Sequence, residues 1–184
     1  MIKFLDGKKV YLRSVTEEDL QGEYLRWIND VKNDFYTEHA QFPNSQKDLV
    51  AFAEDKWNCS SSIWLAIIEK KTNKHIGNIE LRDINLVHGR GEFLILLDHL
   101  AQSKGYGEEA SRLMLCHAFE VLNLRRIYLG VRQDNKGAIK LYKKLGFVEE
   151  GVLRENVMRD FQTKNIIVMG ILDREYRKLK LKEK

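Results

Sequence analysis

An apolar run from Gly91 to Leu97 passes through a glycine-bearing turn into a helical pattern at Gly105 to Leu122, then into a second strand-like run at Ile127 to Val131. No other feature limits the fold as much. Two strands separated by a helix of that length cannot form a tight hairpin, so the spacing predicts a parallel βαβ unit. The flanking segments read as antiparallel partners. Lys8 to Ser14 forms a first strand, and Thr16 caps a helix with Asp19 as its capping-box partner. Leu20, Tyr24, Trp27, Ile28 and Val31 follow at helical spacing, and Asp34 to Asn44 reads as a polar and aromatic loop. Ser45 caps a second helix with Leu49, Phe52, Ala53 and Trp57 on its apolar side. Strands are expected at Ser62 to Glu69 and Ile76 to Ile84, with a turn at Lys70 to Lys74 between them. A shorter helix covers Asn135 to Leu145 and stops at Gly146, and Val152–Met158 with Asn165–Leu172 forms a hairpin. The expected class is α/β: a mixed, mostly antiparallel twisted sheet flanked by helices, with one central parallel βαβ unit, in a single domain over residues 1–184.

Composition narrows the function. The chain is 43% hydrophobic and 32% charged, enough for a core and too apolar for disorder. Its net charge is +4, and basic residues crowd the tail at 174–184, which reads as a solvated, fraying helix end. No zinc spacing or recognition-helix pattern accompanies that tail, so no nucleic-acid partner is expected. Cys59 and Cys116 are the only cysteines, too few for a disulfide framework or a four-ligand zinc site. The five histidines show no metal-ligand spacing. The charged N-terminus lacks the apolar run of a signal peptide, and no stretch approaches a membrane span, so the expected location is the cytoplasm.

The segment Gln102-Ser103-Lys104-Gly105-Tyr106-Gly107 lies between a buried strand and a helix start. A helix N-terminus offers unpaired N–H groups and a partial positive charge to phosphate. Gly105 and Gly107 let a pyrophosphate approach the backbone, and Lys104 adds charge. Gly105, Gly107 and Ala110 also fit the dinucleotide pattern G-x-G-x-x-A, but Asp98 to Lys104 separate the strand from its first glycine. A nicotinamide-dependent oxidoreductase is therefore a weaker alternative. A P-loop is excluded, since no G-x-x-x-x-G-K-[ST] occurs.

Gln102-x-x-Gly105-x-Gly107 after an apolar strand resembles the acetyl-CoA pyrophosphate loop of the GNAT acetyltransferase superfamily. Downstream, Asp134-Asn135-Lys136-Gly137-Ala138-Ile139 with Leu141-Tyr142-Lys143-Lys144-Leu145-Gly146-Phe147 resembles that family's second CoA motif, in the expected order. The resemblance spans residues 8–172, with its specific signal in 92–147. Tyr11-Leu12-Arg13 and Leu25-x-Trp27-Ile28-Asn29-Asp30 look like the branch that holds ribosomal-protein, polyamine and amino-sugar acetyltransferases. The resemblance implies acetyl-CoA as co-substrate, bound by Ile95, Leu96, Leu97, Gln102, Ser103, Lys104, Gly105, Tyr106, Gly107, Asn135, Ala138 and Tyr142, with no metal. The backbone of Ile95 to Leu97 would polarise the thioester carbonyl.

Amide formation from a thioester needs a neutral amine and a proton for the departing thiolate. Tyr142, two helical turns after Asn135, is the candidate acid, because a phenol near ~10 can protonate a thiolate near ~8.5. Glu92 and Glu80 are candidate bases, since burial in a strand disfavours a charged carboxylate. Cys116 reads as a core residue, so direct attack of the amine in a ternary complex is expected. The acceptor is a small-molecule or peptide amine. An amino-sugar nucleotide stands slightly ahead of a polyamine or a protein N-terminus, because the chain is slightly basic and Trp27, Phe35, Tyr36, His39 and Phe42 would suit a ring. A non-catalytic acyl-CoA-binding regulatory module is the alternative from another class, and a homodimer is among the expectations.

Overall fold

The computed structural model describes residues 2–30, 43–159 and 161–182. The strands are β1 (Leu5–Asp6), β2 (Val10–Ser14), β3 (Ile63–Glu69), β4 (His75–Asn85), β5 (Arg90–Leu97), β6 (Arg126–Arg132), β7 (Val148–Arg159) and β8 (Gln162–Leu172). The helices are α1 (Glu17–Leu20), α2 (Glu23–Asn29), α3 (Gln46–Trp57), α4 (Tyr106–Cys116), α5 (Lys136–Lys144) and α6 (Asp173–Lys182). The strands form one sheet in the order β1-β2-β3-β4-β5-β6-β8-β7. Among the described residues β5 runs parallel to β6, as the βαβ spacing predicts, and the β1–β2, β2–β3, β3–β4, β6–β8 and β7–β8 registers are antiparallel. No helix among the described residues is long and apolar enough to cross a membrane. The chain divides into two compact units, residues 1–82 with 94–114 and residues 83–93 with 115–184.

In the first unit, β2 pairs with β3 from Val10↔Glu69 to Ser14↔Leu65, and β3 pairs with β4 from Ile63↔Leu81 to Ile68↔His75. The expected single helix after Thr16 is two. Gln21 closes α1 by donating to the Glu18 and Asp19 carbonyls, and Gly22, the weakest helix former after proline, resets the backbone before α2. The capping residue is the expected one: Thr16 N–H donates to the Asp19 carboxylate at 2.8 Å. That carboxylate also takes a two-pronged hydrogen bond from buried Arg13, at 2.5 and 2.7 Å, so the cap is tied to β2. Ser45 and Asp48 exchange the same reciprocal bonds at the start of α3. Leu20, Tyr24, Trp27, Leu49, Ala53 and Trp64 share one core, and each large side chain buried there contributes about 1.5–3 kcal/mol. Val31 lies outside the described residues.

In the second unit, β5 and β6 run parallel from Arg90↔Arg126 to Glu92↔Tyr128. β8 pairs with both β6 and β7, giving the expected hairpin. The helix expected to reach Leu122 is α-helical only to Cys116. It then widens into a π turn, His117–Val121, where Leu122 N–H donates to the His117 carbonyl. Gly146 does end α5. At φ +96° it lets its own N–H reach the Lys143 carbonyl and Phe147 N–H reach the Tyr142 carbonyl, a Schellman stop. The tail is a solvated helix with no residue fully buried, but one side of it is tied down. Tyr176 stacks on Phe119 at 4.9 Å and donates to Glu120 at 2.6 Å, Lys180 pairs with the same carboxylate, and Leu179 packs on Gly146. Aromatic and apolar residues spaced along α6 outweigh its charge.

Candidate active site

Two sets of expected site residues lie in different units. Glu80, Ile95, Leu96, Leu97 and the Gln102–Gly107 turn belong to the first; Glu92, Asn135, Ala138 and Tyr142 belong to the second.

The turn opens α4 on left-handed backbone. A short 3₁₀ turn, His99–Ala101, follows β5, and Gln102 closes it while its side-chain Nε2 donates to the Leu97 carbonyl at 3.3 Å. Ser103 (φ +62°) and Gly105 (φ +84°) both take left-handed backbone, which turns the chain abruptly into α4. The first α-helical bond there is Glu109 N–H to the Gly105 carbonyl, so the amides of Tyr106 and Gly107 precede the helix's own hydrogen-bond ladder. Neighbouring segments pin the turn. Lys9 donates from Nζ to the Lys104 carbonyl at 3.2 Å, and its N–H donates to Glu109 at 2.8 Å. Tyr106 OH donates to Glu69 at the end of β3, a carboxyl held below its ordinary range by the Thr72 hydroxyl first and by Tyr106 second. A left-handed glycine before a helix's first turn, in a loop held by its neighbours, is what a pyrophosphate needs. The strand before the turn fits the same use: Leu94 to Leu97 are only half-buried although wholly apolar, and the β5–β6 register ends at Glu92↔Tyr128.

Tyr142 sits on α5 with its ring buried, edge-on to Phe93 at 6.2 Å and tilted against Phe147 at 5.8 Å. Burial pushes its hydroxyl up to about 12. Asn135, at the same helix's start, accepts from Ala138 N–H at 3.0 Å, so its side-chain oxygen is committed to the cap. Glu92 is the third residue of β5 and half-buried. Glu80 is more deeply placed and holds an ion pair with Lys56 at 2.5 Å and the Ser62 hydroxyl at 2.7 Å. Sequence reasoning missed Lys56, because no local pattern signals a partner 24 residues away.

Two other expectations meet the structure differently. Trp27 is 1% exposed and packs against Tyr24 and His75 in the core, so it presents no wall to an acceptor. Phe35, Tyr36, His39 and Phe42 lie outside the described residues. Cys116 is half-buried rather than enclosed; Cys59 is exposed, its thiol drawn below the ordinary range by hydrogen bonds from Ser61. Among the described residues no cluster of three or more His, Cys, Asp or Glu is arranged to hold a metal.

Residues 9–148 match the family model described as an acetyltransferase (GNAT) domain. The chain is 33% identical over 165 residues to spermidine N(1)-acetyltransferase of Escherichia coli (strain K12), covering 89% of this chain and 88% of that protein. The crystal structure of spermidine N-acetyltransferase from Vibrio cholerae in complex with CoA and spermine superimposes with a TM-score of 0.84 at 28% identity, over 92% of this chain and 98% of that one. A dodecameric structure of the Vibrio cholerae enzyme in an intermediate state matches with a TM-score of 0.77 at 28% identity, over 91% and 96%. The chain belongs to the GNAT acetyltransferase family and is an acetyl-CoA-dependent N-acetyltransferase.

Proposed function

We propose that this enzyme acetylates a primary amine of a polyamine, by direct attack on acetyl-CoA in a ternary complex. The observation that supports the cofactor half is the left-handed Gly105 opening α4, whose first helical bond is made only by the Glu109 N–H. Support for the acceptor comes from the relatives, whose names specify spermidine over most of the chain's length. The amino-sugar nucleotide reading rests on net charge, which does not locate charges, and on an aromatic wall from which the buried Trp27 drops out. The family match crosses both compact units, which supports reading residues 1–184 as one catalytic domain. The dodecameric relative supports self-association beyond the expected homodimer.

Roles follow from environment. A phenol held near 12 stays protonated at working pH, so Tyr142 is the acid that delivers a proton to the leaving thiolate. Removal of the amine's proton, directly or through water, is our assignment for Glu92, the half-buried carboxylate near the start of β5. The backbone of Ile95 to Leu97 is assigned to the thioester carbonyl, and Gln102 to Gly107 to the pyrophosphate. The test is thiol release from acetyl-CoA with a panel of amines: spermidine, spermine, an amino-sugar nucleotide and a peptide with a free N-terminus. The polyamines are expected to give the highest kcat/KM. Turnover of the sugar nucleotide with silent polyamines would overturn the acceptor assignment.

A further inference from the structure

The Glu80 side chain is only 10% exposed, and its two hydrogen bonds converge on one oxygen. The Lys56 ammonium, in the last turn of α3, donates to Oε1 at 2.5 Å, and the Ser62 hydroxyl donates to the same oxygen at 2.7 Å. Oε2 accepts no hydrogen bond among the described residues. Lys56 Nζ also stands 5.4 Å from the centre of the Phe52 ring, a cation–π distance. A carboxylate, a hydroxyl and an aromatic face are the parts of an ammonium site. Here the chain's own lysine fills it.

Lys56 also lines an open cavity of about 250 Å³ with Ser14, Trp57, Cys59, Ser62 and Trp64. The two facts together define an exchange. Withdrawing an ammonium from a nearly buried carboxylate strands a charge, so Lys56 does not leave unless another cation takes its place. Replacing one primary ammonium by another keeps the Coulomb attraction, and the cavity gives the displaced lysine stem somewhere to go. A neutral hydroxyl offers no such compensation. We propose that Glu80 docks the distal ammonium of the polyamine, the one not acetylated, and that Lys56 is its resident competitor, displaced into the cavity when the acceptor binds. This inference rests on the polyamine reading above. Lys56 thereby sets a threshold that only a cationic acceptor crosses.

The experiment measures KM for spermidine, for acetyl-CoA and for a monoamine of similar length without a second ammonium, in the parent, Lys56→Met and Lys56→Arg. Methionine keeps the stem and removes the competitor, so the spermidine KM is expected to fall about fivefold or more, as one largely buried ion pair no longer has to be displaced. The acetyl-CoA and monoamine KM values are expected to stay within twofold. Arginine, with its planar fork, holds a carboxylate more firmly than an ammonium does, so Lys56→Arg is expected to raise the spermidine KM. If Lys56→Met does not fold, the arginine variant decides alone. A spermidine KM unchanged in both variants, or one that shifts in step with the monoamine KM, overturns the proposal. No spermidine turnover in the parent strikes the polyamine reading itself, and this inference with it.

Discussion

Gly77→Ala is the smallest change expected to damage both stability and turnover. Gly77 lies in β4, and a Cβ there would stand 2.3 Å from the Leu96 carbonyl oxygen, 2.8 Å from Leu97 Cδ2 and 3.0 Å from Leu97 Cα. Two of those three atoms are backbone, so no side-chain rotation relieves the clash. Restoring ordinary van der Waals distance moves β5 away by about 1 Å. Overpacking of this kind costs about 1–3 kcal/mol, and in a chain of this size each kcal/mol lowers Tm by about 2–4 °C. The same displacement moves the Leu96–Leu97 backbone assigned to the thioester carbonyl, and about 1 Å of misplacement costs roughly 10²-fold in rate. Calorimetry gives the first number, and initial rates at a temperature where the variant is folded give the second. Gly151→Ala is the control, since nothing lies within 4 Å of its added carbon. Parent-like Tm and kcat in Gly77→Ala would refute both the close approach and the role given to β5.

Tyr142→Phe keeps the buried ring and removes the proton donor, so kcat is expected to fall by ~10² or more while the acetyl-CoA KM holds; an unchanged kcat means that water protonates the thiolate. Gly105→Val puts a branched side chain at φ +84°, at the mouth of α4. CoA should raise Tm in the parent, because it binds only the folded state, and should fail to do so in the variant. A CoA-induced shift that survives in Gly105→Val removes the loop from the binding site. His75 and His117 are both held below the ordinary histidine value of 6.5, His75 chiefly by burial against the pull of Asp19 and Asn78, and His117 by burial. The fold therefore favours the neutral rings, so their contribution is complete above pH 6.5 and is lost as pH falls below it. Urea midpoints are expected to drop between pH 7.5 and 5.5, and His75→Gln should flatten part of that drop. Equal midpoints at the two pH values contradict the sign.

Most of the sheet and the backbone of the expected cofactor loop were legible because their signals are local. Thr16 with Asp19 and Ser45 with Asp48 are capping patterns written within four residues, and Gly146 and Gly105 stand where left-handed backbone is required. The parallel pair follows from one spacing, since a helix between strands admits no hairpin. What escaped notice depends on partners distant in sequence. The apolar period through Tyr24 and Trp27 does not reveal that Gly22 breaks the helix, because the same residues reach the same core from two short helices. The tail's charge hid Tyr176 and Leu179, whose partners Phe119 and Gly146 come from other elements. Glu80 was legible as a strand carboxylate and Lys56 was not legible as its partner, so the polarity of that site came only from the structure. Trp27 shows the opposite error: aromatic character was read as a ligand wall where packing uses it.

The account rests on acetyl passing straight from CoA to the amine, and initial-rate kinetics with both substrates varied tests this most directly. Acetyl-CoA and spermidine bound together give double-reciprocal lines that intersect, with mass spectrometry finding no acetyl on the half-buried Cys116 or the exposed Cys59 after incubation with acetyl-CoA alone. Parallel lines, with an acetyl adduct on either thiol that transfers to spermidine at the rate of turnover, would contradict it.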